Sequence, residues 1–227
     1  TKGFIVGTGR ESTQGAVRAA KKAAELGADA VLVRTPGFFK SAMNHELLVK
    51  HYTAVADASP VPVLLYNFTA VTGVDMPVSV ALEMAQHPNV IGMKESNSDI
   101  VKIAELTANA PERFKILLGS ALMVLPGMAL GATGAILALS ALTPVECVEL
   151  FEHAKAGRRD EALALQRRLS PLGKLLGPVY GVAGLKASLA MRGIDAGVPR
   201  PPLMPLGEAG RTAIADALAR FDRSAAV

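Results

Sequence analysis

Apolar runs recur along this chain with a helical stretch after each, and that alternation is what most constrains its fold. Six such runs begin at intervals of roughly 19 to 33 residues. They cover residues 4–6, 29–33, 61–66, 90–94, 115–118 and 134–138. Strands joined by helical crossovers pair in parallel, so the alternation predicts a parallel sheet of near-continuous apolar strands.

The alternation stops after Gly157. Helices are predicted between the strands over residues 16–26, 44–58, from about 76, over 98–109, after 120 and over 144–156. Three further helices follow without strands, over residues 159–176, 181–192 and 208–221. We therefore predict six βα units over residues 1–157 and a helical region over residues 158–227.

Two α/β architectures can hold six such units, namely a doubly wound sheet or part of a (β/α)₈ TIM barrel. Polar or reactive residues follow successive strands, where barrel enzymes place their active sites. They are Thr35, Tyr66, Lys94, Gly119 and Ser120. A dinucleotide site would need the fingerprint at Gly7, Gly9 and Ser12, which is broken, and an acidic residue ending the next strand, which is missing. The pattern favours the barrel.

Composition argues against several classes of partner. The chain has 227 residues, of which 50% are hydrophobic, and a net charge of +4. Its basic residues are scattered and only 4% of residues are aromatic, so no nucleic-acid surface is expected. No apolar run reaches the ~18 residues that span a membrane.

Cysteine and histidine usage gives two further expectations. A single cysteine, Cys147, excludes an intramolecular disulfide and fits a reducing compartment, so cytoplasmic is the default location. The four histidines lack the spacing of metal ligands, so no metal and no other cofactor is expected.

The strand over residues 90–94 ends in a lysine. Lys94 shares its face with Gly92, whose missing side chain would leave room beneath the lysine stem. A lysine amine is nucleophilic when neutral, and desolvation favours the neutral form, which suits Schiff-base chemistry. The residues alone leave open that Lys94 extends to solvent and that Tyr66 is a core tyrosine.

Tyr66 with Asn67, and Gly92 with Lys94 and Ser96, resemble the motifs of the dihydrodipicolinate synthase and N-acetylneuraminate lyase family, the lysine-dependent pyruvate aldolases. Further likeness covers residues 27–31, 35–36, 64–66, 72–73, 87–90, 131–134 and 184–186. The 51–60 and 89–94 segments look most like the 4-hydroxy-2-oxoglutarate aldolase branch. The loop over residues 68–72 lacks the arginine that the synthase branch carries for a dicarboxylate substrate.

The resemblance implies a function and a set of roles. Lys94 would form a Schiff base with a 2-oxo acid, whose retro-aldol cleavage gives pyruvate and an aldehyde, glyoxylate in the 4-hydroxy-2-oxoglutarate case. Tyr66 would move the hydroxyl proton. Ser96, Gly119 and Ser120 look like substrate contacts, and Ile136 would line the pocket floor.

Two departures from the family pattern are visible. Phe38 stands where the family has a second tyrosine, supplied by a neighbouring subunit, and phenylalanine cannot transfer a proton. The two βα units that precede residues 4–6 in the family, with their carboxylate-binding loop, are absent from this sequence. We therefore expect a longer native chain. If there is none, we expect poor stability, or rescue by assembly, together with impaired activity.

Several alternatives remain open. A sugar-acid lyase or dehydratase, or a synthase-like enzyme, would keep Lys94 and Tyr66 and differ in the pocket. A non-catalytic barrel that binds a keto acid would explain Phe38. The resemblance implies a homotetramer, and it admits a mitochondrial location should a targeting segment be missing.

Overall fold

The computed structural model describes residues 3–223 and contains all six predicted strands. They are β1 (Ile5–Gly7), β2 (Ala30–Arg34), β3 (Val63–Asn67), β4 (Val90–Glu95), β5 (Lys115–Leu118) and β6 (Gly134–Ala135). The sheet order is β1-β2-β3-β4-β5-β6, and the first five strands pair in parallel. This sequential order confirms a parallel α/β fold and lacks the reversal of strand order that defines a doubly wound sheet. The sixth strand is shorter than predicted.

The predicted helices are also present, with ends moved by a few residues. They are α1 (Thr13–Glu25), α2 (His45–Ala58), α3 (Thr69–Thr72), α4 (Val78–Met84), α5 (Ile100–Asn109), α6 (Val124–Ala129), α7 (Pro144–Lys155), α8 (Arg159–Lys174), α9 (Gly181–Met191) and α10 (Glu208–Arg223). The sequence did not predict the short α3. Among residues 3–223, no helix is long and apolar enough to cross a membrane.

Side-chain caps explain where several helices begin. The Ser12 side chain accepts a hydrogen bond from the Gly15 amide at 3.1 Å, which starts α1. Asn44 caps α2 in the same way, and Asp99 caps α5 by accepting from the Lys102 amide at 3.0 Å. Each cap satisfies an amide that has no partner within its helix, and loss of such a cap typically destabilises by about 1 kcal/mol.

The chain forms two compact units. Among the described residues, the first comprises 3–118 and 130–134, and the second comprises 119–129 and 135–223. The first unit therefore holds β1 to β5 and α1 to α5, whereas the second holds α6 to α10. The division into βα units over residues 1–157 and a helical region over 158–227 stays a prediction.

The core of the first unit is built largely from strand residues that share one face of the sheet. Val31, Val33, Val63, Leu65 and Met93 are fully buried. Helices α1 and α2 add further apolar residues, among them Ala16, Ala20, Leu48 and Val55. On the opposite face Leu64 is buried and Leu32 is half-buried, which explains why the strands contain apolar residues at successive positions. Each large buried side chain contributes about 1.5–3 kcal/mol.

A β-bulge sets the register of β4. Val63 pairs with Val90, but Leu64 pairs with Gly92, so Ile91 is an extra residue in β4. Beyond the bulge Tyr66 pairs with Lys94. On the other edge of β4, a β-carbon at Gly92 would overlap the Lys115 carbonyl oxygen. The close approach of β5 therefore requires this glycine, which corrects the expectation that it makes room beneath the Lys94 stem.

The second unit has its own apolar core, built from α6 to α10. Leu150, Leu169, Leu172 and Ile214 are buried there. Helix α8 also carries the buried Gln166, whose amide donates to the Ala121 carbonyl at 2.9 Å and accepts from the Leu125 amide at 3.0 Å. These bonds satisfy the polar side chain within the core.

Candidate active site

Tyr66 and Lys94 lie side by side near the carboxyl ends of β3 and β4. The Lys94 amine donates to the Tyr66 hydroxyl at 3.3 Å and lies 4.4 Å from the centre of the tyrosine ring. Both side chains are half-buried. An amine that can attack a carbonyl and a phenol that can exchange a proton thus meet at the strand ends, where barrel enzymes react with substrates.

The Tyr66 ring is stacked on Phe68. Their ring centres lie 5.9 Å apart with an angle of 26° between the planes. Phe68 precedes α3, and its carbonyl accepts from the Thr72 hydroxyl at 3.2 Å. The Thr72 hydroxyl in turn accepts from the buried Thr35 hydroxyl at 3.1 Å. Packing and these bonds restrict the orientation of the phenol.

Ser96 directly follows β4 and lies two residues beyond Lys94, so its side chain is on the same sheet face as the lysine. Its amide donates to the Asn67 carbonyl at 3.0 Å, which continues the β3–β4 ladder. Among residues 3–223, its hydroxyl is one of four buried side-chain polar atoms that have no hydrogen-bond partner. A buried unpaired hydroxyl is unfavourable by about 1–3 kcal/mol, so this atom is suited to bonding a substrate.

Phe38 lies on the exposed loop after β2. Its ring is 76% exposed and contacts the edge of Phe39 at 4.9 Å between centres. Its amide, like that of Gly37, donates to one oxygen of Glu11, at 2.8 and 2.9 Å. Arg34 donates to the other Glu11 oxygen at 2.6 Å, and this hydrogen bond lowers the pKa of the Glu11 carboxyl. Glu11 thereby fixes the backbone that carries Phe38.

Gly119, Ser120 and Ile136 belong to the second unit. Gly119 directly follows β5 in the chain, and the Ser120 hydroxyl accepts from the Leu122 amide at 3.4 Å. Ile136 follows β6 and is half-buried. The substrate-binding roles of these three residues stay predictions.

A polar cluster lies behind the tyrosine and the lysine, and sequence reasoning missed it. Asn67 and Glu95, each one residue further along its strand, are both 0% exposed. Asn67 donates to Glu95 at 2.8 Å and to Asp75 at 2.8 Å. Lys102, on α5, reaches Asp75 at 2.7 Å and Glu95 at 3.5 Å. The signal in the sequence was a polar residue next to each catalytic candidate inside an apolar strand.

The cluster shifts the pKa of both its carboxyl groups. Burial raises the pKa of Glu95, which hydrogen bonds from Asn67 and the Asn97 amide and the charge of Lys102 only partly oppose. Burial also acts to raise the pKa of Asp75, but hydrogen bonds from Lys102, Asn67 and Thr69 outweigh it and the pKa is lowered. Lys102 thus lies within ion-pair distance of two carboxyl groups, of which that of Glu95 is fully buried and that of Asp75 is partly exposed.

A singly wound parallel α/β fold with a lysine amine against a phenol at two adjacent strand ends defines a class I, lysine-dependent aldolase or lyase. The model of the dihydrodipicolinate synthetase family matches residues 3–221. The chain belongs to that family, whose members use a Schiff-base lysine, and the expectation of an enzyme of this kind is confirmed.

Relatives with assigned names agree with the family. A 4-hydroxy-tetrahydrodipicolinate synthase from an Exiguobacterium species is 37% identical over 219 residues, which is 96% of this chain and 74% of the relative. A synthase of the same name from Geobacter metallireducens is 33% identical over 96% of this chain and 74% of its own length. These names support the family but do not specifically support the nearness to 4-hydroxy-2-oxoglutarate aldolase.

Solved structures are similar over almost the whole chain. The 4-hydroxy-tetrahydrodipicolinate synthase of Methylacidiphilum fumariolicum SolV gives a TM-score of 0.94 at 30% identity, covering 99% of this chain and 74% of that one. A dihydrodipicolinate synthase variant described as monomeric gives a TM-score of 0.91 at 28% identity, covering 97% of this chain and 74% of the variant.

Proposed function

We propose that Lys94 forms an imine with pyruvate or a pyruvate-containing 2-oxo acid, and that the enzyme makes or breaks a carbon–carbon bond next to it. The observation that carries this proposal is the 3.3 Å contact between the Lys94 amine and the Tyr66 hydroxyl. This pair supplies both a nucleophile and a proton carrier at neighbouring strand ends of the first unit.

We propose that the reaction proceeds in four steps. The Lys94 amine, in its neutral form, adds to the 2-oxo carbon, and the Tyr66 hydroxyl gives its proton to the hydroxyl that leaves as water, which yields the protonated imine and the Tyr66 phenolate. In the cleavage direction, the phenolate accepts the proton of the 4-hydroxyl while the carbon–carbon bond breaks, and the electron pair of that bond moves into the protonated imine to give a neutral enamine. The aldehyde leaves, and the Tyr66 hydroxyl protonates the enamine carbon, which restores the protonated imine. Addition of water then releases pyruvate and the free amine and returns the proton to Tyr66. Condensation is the reverse sequence.

Five further residues are proposed to contact the substrate or to line its pocket. The unpaired hydroxyl of Ser96 is suited to bonding the substrate. We keep Gly119 and Ser120 as substrate contacts, Ile136 as a pocket residue, and Phe38 as the residue that stands where the family has a second tyrosine. Phe38 would supply an apolar contact and no proton.

The names of the relatives favour a synthase-type condensation. Its product, 4-hydroxy-tetrahydrodipicolinate, contains a ring nitrogen and two carboxylates, so pyruvate must be joined to an aldehyde that carries an amino and a carboxylate group. L-Aspartate semialdehyde has this chemistry and is the first acceptor to test.

A second candidate, cleavage of 4-hydroxy-2-oxoglutarate to pyruvate and glyoxylate, is favoured by one specific observation. The loop after Tyr66 forms α3, Thr69–Thr72, and contains no arginine. Val71 in this helix is 69% exposed. A loop without a guanidinium offers no bidentate partner there for the remote carboxylate of a synthase substrate, which is separated by two further carbons from the carbon that bears the 4-hydroxyl. The second carboxylate of 4-hydroxy-2-oxoglutarate is attached directly to that carbon.

Intact mass after incubation with pyruvate and sodium borohydride tests the imine, with Lys94→Ala as the variant and Lys115→Ala, at the start of β5, as the matched control. We expect a pyruvate-sized adduct on the wild type and on Lys115→Ala, and none on Lys94→Ala. A folded wild type without an adduct, or an adduct that persists in Lys94→Ala, would overturn the proposal.

An acceptor panel then decides between the two reactions. Pyruvate is supplied with L-aspartate semialdehyde, with glyoxylate, or with a sugar aldehyde, and product formation is followed by mass spectrometry. Preference for L-aspartate semialdehyde supports the synthase reaction, whereas preference for glyoxylate supports the aldolase. Turnover of the sugar aldehyde alone would favour the sugar-acid lyase. An adduct without any turnover would favour the non-catalytic keto-acid-binding barrel.

We also keep the homotetramer and the cytoplasmic location as proposals, since both derive from the family resemblance and the composition. Light scattering coupled to size-exclusion chromatography measures the assembly directly. A monomer would match the state described for one similar structure.

A further inference from the structure

The polar pair Asn67 and Glu95 occupies the register position directly after Tyr66 and Lys94. Asn67 pairs with Glu95 along the β3–β4 ladder as Tyr66 pairs with Lys94. Successive side chains on a strand point to opposite faces, so the polar pair lies behind the sheet face that carries the amine and the phenol. The two pairs are thus held on the same short segments of backbone.

The register at this end of β4 is set beyond the bulge, where regular pairing with β3 and β5 begins at Gly92. The bulge at Ile91 makes the β3–β4 ladder irregular before it reaches Lys94. A slip by one residue moves every side chain of a strand to the other face. Such a slip would bury the Lys94 side chain behind the sheet and place Glu95 beside Tyr66.

The hydrogen bonds of the polar pair leave little freedom for such a slip. The Asn67 amide nitrogen donates to Glu95 and Asp75, and its oxygen accepts from the Met76 amide at 2.9 Å. The second Glu95 oxygen accepts from the Asn97 amide at 2.7 Å. Both side chains are fully buried, so water cannot replace a lost partner without opening the structure.

We infer that Asn67 and Glu95 are positioning residues for the reaction, because their buried hydrogen bond sets the β4 register that brings the Lys94 amine against the Tyr66 hydroxyl. The inference rests on the proposed function of Lys94 and Tyr66. It adds two residues that touch no substrate and act through the geometry of the two that do.

Glu95→Gln tests the inference with Glu105→Gln as its matched control, since Glu105 is exposed on α5. In the variant, the amide nitrogen of the new side chain must face either the Asn67 or the Asn97 donor, so one hydrogen bond is lost. We expect borohydride trapping of pyruvate to reach the same final extent but at a rate lower by about tenfold or more. A merely structural role would lower the extent, which measures the folded fraction, and leave the rate unchanged.

Crystal structures supply a readout that does not depend on activity. In Glu95→Gln we expect the distance from the Lys94 amine to the Tyr66 hydroxyl to exceed hydrogen-bonding range, and in Glu105→Gln we expect it to remain near 3.3 Å. An unchanged distance together with a wild-type trapping rate in Glu95→Gln would overturn the inference.

Two further measurements cover the cases in which Glu95→Gln does not fold or the wild type forms no adduct. If Glu95→Gln fails to fold, Asn67→Ser, which keeps one donor, is measured in its place with the same two expected outcomes. If the wild type forms no adduct, the proposed function fails, and the amine-to-hydroxyl distance in the variants alone decides whether the pair sets this geometry.

Discussion

The backbone of Lys115 passes so close to Gly92 that a β-carbon at position 92 would overlap the Lys115 carbonyl oxygen. The two residues pair in register on β4 and β5, one residue beyond the bulge at Ile91. The same short stretch therefore combines an irregular ladder on one edge with an unusually close strand on the other. The position of Lys94, two residues further on, depends on both.

We expect Gly92→Ala to lower the free energy of unfolding by about 2 kcal/mol or more, because overpacking against a fixed backbone typically destabilises by roughly 1–3 kcal/mol. Urea unfolding followed by circular dichroism measures this. Gly7→Ala is the matched strand control, since a β-carbon at Gly7 would meet no atom within 4 Å. Equal stability of the two variants would contradict the close approach.

Tyr66→Phe separates imine formation from proton transfer. The variant keeps the stacked ring beside Phe68 but loses the hydroxyl that the Lys94 amine contacts. We expect the pyruvate adduct still to form, and turnover with the best acceptor to fall by about 10²- to 10⁴-fold, the usual contribution of a general acid–base group. Unchanged turnover would remove Tyr66 from the mechanism, and Phe68→Leu tests the loss of stacking alone.

Lys102→Met removes the only lysine that the described residues place within ion-pair distance of Asp75 and Glu95. We expect a loss of about 3 kcal/mol at neutral pH, because breaking a buried ion pair leaves an uncompensated charge. Lys22→Met, which removes an exposed pair with Glu25, should change stability by less than about 1 kcal/mol.

The loss in Lys102→Met should shrink as the pH falls. The pKa of Glu95 is raised in the folded state, so ionisation of this carboxyl destabilises the fold as the pH rises from its unfolded pKa through its folded pKa. Removal of the Lys102 charge strengthens this effect. The lowered pKa of Asp75 gives stability above its unfolded pKa, and Lys102 supplies part of it. Unfolding at several pH values measures the trend, and a loss that grows on acidification would contradict it.

His51 predicts a separate dependence on acid. Burial lowers the pKa of its imidazole to about 4, and its Nδ1 lies 2.9 Å from the Thr13 hydroxyl. The imidazole is protonated below about pH 6.5 in the unfolded chain but stays neutral down to about pH 4 in the folded chain. The free energy of unfolding should therefore fall by about 3 kcal/mol as the pH drops from 6.5 to 4.

The comparison of wild type with His51→Gln isolates that contribution. The variant loses the titrating group, so its free energy of unfolding should decline less steeply over the same pH range. Chemical denaturation in matched buffers gives both slopes. Identical slopes would show that His51 is not buried in its neutral form.

Much of the fold and part of the candidate site could be predicted from the sequence. Strand positions follow from apolar runs with helices between them, and Lys94 and Tyr66 could be placed at adjacent strand ends because parallel strands direct their carboxyl ends to one edge. The bulge at Ile91 could not be predicted, since it depends on how β3 and β5 approach β4. The role of Lys102 could not be predicted either, because its residue type and its place in a predicted helix do not show that it is only 6% exposed.

The sequence by itself determined the alternation of strands and helices, the membership of a Schiff-base family, and the reactive residues at the strand ends. These are local patterns of hydrophobicity and residue type. Only the tertiary structure decided the register of β4, the reason for Gly92, and the partners of Asn67 and Glu95. The register, the close approach at Gly92 and these hydrogen bonds all depend on residues that are far apart in the chain. The hydrogen bonds become strong only when the paired strands bury them away from water.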